Sequence, residues 1–203
     1  MSKDYSKLER LLDYALMRFK NKDNWVLYSV IIGSMASGKT TLALTLASLF
    51  SRKFNGKCYI TSNLDNLDMV KDLEGKHIAV IFDDVSNKLK KYSDHLTKIF
   101  TIRHLPNSPL QVIDKNIFLL FVCHYLRSIA PFLRSAPMRF LTSISESEIR
   151  AYSSEYLFTI SALWDYFHYY VHYPDRYIVL ANVYAREHIL DVTDLTLFEC
   201  EEI

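Results

Sequence analysis

Gly33 is followed after four residues, Ser34, Met35, Ala36 and Ser37, by Gly38-Lys39-Thr40, and Thr41 comes directly after. This is the spacing of a phosphate-binding loop. Gly33 turns the chain sharply out of a strand, and Gly38 lets backbone amides approach phosphate closely. Those amides, with the positive end of the following helix, cradle an anion. Lys39 is expected to reach the β- and γ-phosphates, and the Thr40 hydroxyl to ligate Mg2+. Residues 33–41 are therefore read as a nucleotide site, with ATP and Mg2+ the expected occupants; no residue pattern reads the base. The bland alternative is a glycine-rich turn before a core helix.

A second signal is Asp83-Asp84, preceded by the apolar Ala79, Val80, Ile81 and Phe82. A buried strand of this kind delivers a carboxylate to its C-terminal edge, beside the phosphate loop. Asp83 is the expected second holder of Mg2+. Asp84, one residue on, is the expected base that orients or deprotonates a water aimed at the γ-phosphate. A third polar group, His124, ends the apolar run NIFLLFVCH from Asn116. An imidazole there can donate to phosphate or water, or it can simply cap a neighbour.

These groups need a scaffold. With 203 residues, 50% of them hydrophobic, the chain is long enough for one well-cored α/β domain. Leu8, Leu11, Leu12, Ala15, Leu16 and Phe19 predict an amphipathic helix within residues 1–22. Val26 to Ile32 reads as the strand before the loop, and Thr41 to Phe50 as the helix after it. Further strands are expected at Cys58–Asn63, His77–Asp84, Asn116–His124, Arg139–Ser145 and Arg176–Ala185, the last with a hairpin return to Asp191. A helix is expected over residues 92–104, and one long aromatic helix from residue 147 to Pro174, with Leu163, Phe167 and Val171 as its buried stripe. Residues 26–145 form the expected core and 146–203 a C-terminal helix with a strand or hairpin. Apolar strands alternating with helices argue for a mostly parallel sheet covered on both faces.

Net charge is +1, so no global field announces nucleic acid or membrane, and any polyanion contact must be a local patch. No apolar run is long enough to span a bilayer, and the first residues, charged from Lys3, do not read as a secretion signal. Cys58, Cys123 and Cys200 lack metal spacing and are expected as reduced, intracellular thiols.

The block AVIFDDVSNKLKKYSDHLTKIFTIRH, followed by FLLFVCHYLRSIAPFLRSAPMRF, resembles the FtsK–HerA superfamily. It is most similar to the DNA-packaging ATPases of tailless icosahedral double-stranded DNA viruses, those of archaeal turreted icosahedral viruses in particular. The resemblance covers residues 26–145. It implies a three-layer P-loop NTPase with a mostly parallel central sheet of the additional-strand (RecA/FtsK-like) class, in which the strand ending at His124 inserts between the other two site strands. It implies an ATP-hydrolysing motor that translocates double-stranded DNA, packages a viral genome into a preformed capsid and self-associates into a ring. The implied setting is the host cytoplasm or the virion, with capsid or portal vertex proteins as further partners. His124 takes the sensor position, usually Gln in that family. Arg103 would be the finger reaching a neighbouring subunit's γ-phosphate, with Arg134 and Arg139 in reserve. Lys88, Lys90 and Lys91 follow the acids and could grip DNA phosphates without reading sequence; a solvated charged turn explains them equally well. Two other readings stay open: a nucleoside or nucleotide kinase, and a P-loop module that binds nucleotide without hydrolysing it.

Overall fold

The computed structural model describes residues 6–85, 114–124, 131–154, 157–193, 195 and 199–203. The described strands are β1 (Val26–Ile32), β2 (Lys57–Thr61), β3 (His77–Phe82), β4 (Asn116–Cys123), β5 (Met138–Leu141), β6 (Ile178–Val183), β7 (Arg186–Asp191) and β8 (Glu201–Glu202). They form one sheet in the order β7-β6-β5-β1-β4-β3-β2-β8. From β5 to β8 every neighbouring pair is parallel, while β6 and β7 add an antiparallel hairpin at the β5 edge. β4 lies between β1 and β3, where the resemblance puts it.

Strand alternation sorts the apolar side chains onto two faces. Phe118, Leu120 and Val122 of β4 point to one face, with Trp25, Leu27, Ile31, Ala79 and Ile81. That face is covered by α1 (Ser6–Leu16) and α2 (Lys39–Phe54), whose Leu8, Leu12, Leu42, Leu46 and Phe50 join the same cluster. Ile117, Leu119, Phe121 and Cys123 point the other way, among Val30, Ile32, Val80 and Phe82. Every residue of β4 is buried, which is why its sequence is continuously apolar rather than alternating. Each fully buried Leu or Phe here contributes on the order of 1.5–3 kcal/mol relative to exposure.

α2 is the element that aims the loop. It starts at Gly38, which has φ +78, and ends where Asn55 takes a left-handed conformation with φ 50. The N–H groups of Asn55 and Gly56 then both donate to the Ser51 carbonyl, satisfying the C-terminal end. Among the described residues the remaining α-helices are the short α3 (Pro131–Arg134), α4 (Glu146–Ser154) and α5 (Ile160–His172).

The C-terminal third departs from expectation in two respects. The long aromatic helix is two helices. α4 opens with a reciprocal cap: Ser145 N–H and Oγ donate to Glu148 Oε2, and the Glu148 N–H donates to the Ser145 carbonyl. α5 restarts at Thr159, whose hydroxyl accepts from the Ala162 N–H, while Glu187 of β7 receives the Thr159 N–H and hydroxyl. The buried stripe is also different. Leu163 and Tyr166 face the core, and Val171 is 54% exposed, as are large parts of Tyr169 and Tyr173. Tyr166 wins the inner position because its hydroxyl donates to the Ile178 carbonyl, so its polar end is satisfied when buried.

The expectation of three reduced thiols fails for two of them. Cys58 and Cys200 are joined by a disulfide, with Cα atoms 4.9 Å apart, while Cys123 is a buried free thiol. The pairing of β8 with β2 is the cause: Tyr59 sits opposite Glu201, so Cys58 and Cys200 are the preceding rung. Among the described residues no helix is long and apolar enough to cross a membrane.

The disulfide closes a separation of 142 residues. In the chain-entropy account a loop of that size is worth at most about 5 kcal/mol. Reduction, or Cys200→Ser, is expected to lower the free energy of unfolding by a few kcal/mol and to free β8. Denaturant titration with and without reductant measures it, and equal stability in both would mean that the bond constrains nothing.

Candidate active site

Four parallel strands deliver their C-terminal ends to one crevice. β1 leads into the loop 33–40, β3 into Asp83 and Asp84, β4 into His124, and β5 into Thr142 and Ser143. The crevice beyond the carboxyl ends of such strands is where open α/β sheets bind ligands.

The loop folds back on itself around one carbonyl. Lys39 Nζ donates to the Ser34 carbonyl at 2.5 Å, and Ser37 Oγ donates to the same oxygen at 2.8 Å. Lys39 is only 4% exposed. Burial pushes its ammonium pKa down, and the charges of Asp83 and Asp84 act in the opposite sense. Met35 projects outward, and Ala36 holds φ 58, the left-handed region where a side chain is strained. The helix begins with Gly38, whose carbonyl accepts the Leu42 N–H, and the Thr41 carbonyl accepts the Thr45 hydroxyl.

Thr40 and Asp83 meet. Thr40 Oγ1 lies 3.1 Å from each Asp83 carboxylate oxygen, and the Asp83 N–H donates to the Thr61 carbonyl. Asp84 adopts φ 50 and turns the other way, with its Oδ1 3.0 Å from His124 Nε2. The expected base and the expected sensor are thus one pair in contact. An imidazole held there can orient the carboxylate, and the exposed Asp84 remains open to solvent.

Arg139 lies in mid-β5, largely buried, and its Nη1 donates to the Arg134 carbonyl at 2.7 Å. Burial lowers its pKa, with Glu187 acting against that. It is anchored to its own chain rather than projecting from it. Arg103, Lys88, Lys90 and Lys91 lie outside the described residues, as does the expected helix over residues 92–104.

Three residues absent from the motif reading complete the site. Thr142 and Ser143 touch the loop: Ser143 Oγ accepts the Ser34 N–H at 2.7 Å, and Thr142 Oγ1 is 2.6 Å from Ser37 Oγ. Tyr177, ahead of β6, donates its hydroxyl to the Gly38 carbonyl at 2.8 Å, and burial raises its phenol pKa. Its ring fills the space that a side chain at Gly38 would need. No spacing rule links residues 142, 143 or 177 to residue 38, so only the sheet order could have found them.

No protein-family model matches the chain. Over 65 residues it is 34% identical to a putative ABC transporter ATP-binding protein of Methanosarcina acetivorans, a stretch of 30% of this chain. The chain spans only 12% of that protein's length. Among solved structures it is similar to the genome packaging NTPase B204 from Sulfolobus turreted icosahedral virus 2 in complex with sulfate. That match has a TM-score of 0.55 at 13% identity, over 90% of this chain and all of the other. B204, the DNA-packaging ATPase from Sulfolobus turreted icosahedral virus, matches with a TM-score of 0.54 at 13% identity, over 85% of this chain and 98% of that one. The complex of the former enzyme with AMPPCP matches with a TM-score of 0.51 at 12% identity, over 84% and 97%. With its mostly parallel eight-stranded sheet and β4 between β1 and β3, this chain has the P-loop NTPase fold of the B204 packaging enzymes.

Proposed function

We propose that this chain is a Mg2+-dependent ATPase that acts as a motor, translocating double-stranded DNA and packaging a viral genome into a preformed capsid. The observation that carries the reading is the convergence of Lys39, the Thr40–Asp83 contact and the Asp84–His124 pair at one crevice. The fold shared with B204, described as a genome packaging NTPase and solved with AMPPCP and ATP-γS, supports it.

The residues present fit Mg2+. Thr40 and Asp83 offer an oxygen-only pair in contact, the hard donor set of a cation that keeps water and phosphate oxygens as its other ligands. Thr40 donates its O–H to the carboxylate as a hydrogen bond, which leaves the hydroxyl lone pairs for the ion. When bound, Mg2+ would neutralise charge on the β- and γ-oxygens. The loop amides and the N-terminus of α2 would hold the phosphates. Lys39, already oriented by the Ser34 carbonyl, would meet the β/γ oxygens. Asp84 would align the attacking water and take its proton. His124 would hold Asp84 in place and report on the γ-phosphate.

Arg103 is proposed as the finger that completes a neighbour's site. Each active site then needs the next protomer, which implies a ring. Lys88, Lys90 and Lys91 are the proposed DNA grip, with capsid or portal vertex proteins as further partners. The setting proposed is the host cytoplasm during assembly, or the virion. A Cys58–Cys200 bond is compatible with an intracellular protein where the host is a hyperthermophilic archaeon, since such cells keep disulfides.

Phosphate release from ATP, with and without duplex DNA, tests the reading against phosphoryl transfer to added nucleosides or nucleotides. Efficient transfer would replace the motor by a kinase. Lys39→Ala is expected to abolish turnover. Asp84→Asn should keep nucleotide and Mg2+ binding but lose about 10²–10⁴ in kcat, the usual worth of a general base. A wild-type rate in Asp84→Asn would remove it from the base role.

Arg103→Ala is expected to bind nucleotide normally and to lose roughly 10³–10⁵ in turnover. Mixing it with Lys39→Ala protomers should restore activity only at interfaces where one intact finger meets one intact loop. Unchanged turnover would move the role to Arg134 or Arg139.

DNA binding should appear with assembly, because a net charge of +1 gives one protomer little hold on a duplex. Its affinity should fall steeply with salt and show no sequence preference. Changing Lys88, Lys90 and Lys91 together to Ala should flatten the salt dependence. An assembled protein without salt-dependent duplex affinity would end the motor reading.

A further inference from the structure

Thr142 and Ser143 follow β5 directly, are 2% and 6% exposed, and belong to no motif. A buried hydroxyl needs a partner, and both spend theirs on the phosphate loop. The Thr142 N–H donates to the Ile32 carbonyl at 2.9 Å, carrying the β1–β5 ladder one rung beyond the Ile32–Leu141 pair. The two side chains therefore stand where the chain leaves β1 for the loop.

Their contacts define what they hold. Ser37 Oγ donates to the Ser34 carbonyl and lies 2.6 Å from Thr142 Oγ1. The Thr142 hydroxyl hydrogen is shared between Ser37 Oγ and the Ile32 carbonyl at 3.2 Å. Ser143 Oγ accepts the Ser34 N–H at 2.7 Å and sits 2.9 Å from Ser34 Oγ. Ser34 is held at both ends: Ser143 takes its N–H, and the Thr142–Ser37 link holds its carbonyl. That carbonyl is the group to which Lys39 Nζ donates.

We propose that Thr142 and Ser143 are positioning residues of the phosphate loop, fixing the Ser34 backbone and through it the Lys39 ammonium. The proposal rests on the reading of residues 33–41 as a triphosphate site. It also explains Gly33. A Cβ there would overlap Thr142 Oγ1 and stand 2.6 Å from Ser37 Oγ and 3.1 Å from Ser143 Oγ. The first glycine of the motif is needed because β5 closes against the loop. This pair bonds both flanks of the one residue that orients the lysine.

The consequence is selective. Lys39 serves the β- and γ-phosphates, so loosening it should weaken binding of ATP and leave AMP nearly unaffected. The test uses the full chain with Thr142→Val and Ser143→Ala combined, measuring ATP and AMP affinities by calorimetry, turnover and thermal melting. The ratio of ATP to AMP affinity is expected to fall by about tenfold or more, the scale of one weakened charge-assisted bond, with a lower kcat. Thr142→Ser and Ser143→Thr, which keep the hydroxyls, should restore both. A merely structural pair would lower the melting temperature and leave the affinity ratio alone, and that result overturns the proposal. If the double variant does not fold, Ser37→Ala cuts the Thr142 link outside the core, and a wild-type ratio there overturns it equally. Lys39→Ala separates the two readings. If it keeps the wild-type ATP preference, the triphosphate site itself is misassigned; if it loses that preference while the double variant does not, only the brace fails.

Discussion

One strand insertion sets the geometry of the crevice. With β4 between β1 and β3, two strand spacings of about 4.8 Å each separate the loop strand from the acidic strand by roughly 10 Å. That gap is why the first helical turn can swing Thr40 across to Asp83 while the end of β4 supplies His124 to Asp84. The insertion in turn depends on β4 being apolar on both faces, since a strand covered above and below has no room for a solvated side chain.

The same burial gives the site its electrostatic character. Lys39 lies out of water, where its charge is disfavoured, and the carboxylates of Asp83 and Asp84 offset that cost. Groups arranged this way need little rearrangement when phosphate charge arrives, which is how preorganised sites stabilise developing charge. The Ala36 and Asp84 backbones both sit in the left-handed region. Strain of this kind persists where the surroundings over-determine the chain, and here it falls on the loop and on the residue after Asp83.

The sheet and the loop were legible because burial and phosphate binding each leave a periodic or fixed-spacing trace. Apolar runs marked β1, β3, β4 and β6, and Gly33 to Thr40 announced its own turn and helix. The C-terminal third was less legible for a physical reason: its decisive contacts are long-range. An aromatic-rich run masked the break before Thr159, whose restart depends on Glu187 from β7. The β6–β7 turn uses Tyr184 and Ala185, both at positive φ, in place of the Asn-Gly that usually signals such a turn. The Cys58–Cys200 bond depends on a two-residue strand that no propensity predicts. Spacing within the motif could not name Thr142, Ser143 or Tyr177, because their relation to the loop exists only once β5 pairs with β1 and β6 with β5.

That relation changes what the C-terminal region is for. The hairpin β6–β7 adds nothing to the motif, yet it begins at Tyr177, whose hydroxyl holds the Gly38 carbonyl and whose ring closes over Gly38. β5 holds the other end of the same loop through Thr142 and Ser143. The loop is therefore gripped at Ser34 from one neighbouring strand and at Gly38 from the next. A phosphate loop must present its amides without a side chain in the way, and Gly33 and Gly38 remove that steric bulk. The freedom those glycines would give the backbone is taken back by β5 and by Tyr177. Rigidity at the site is thus borrowed from residues that carry no part of the motif.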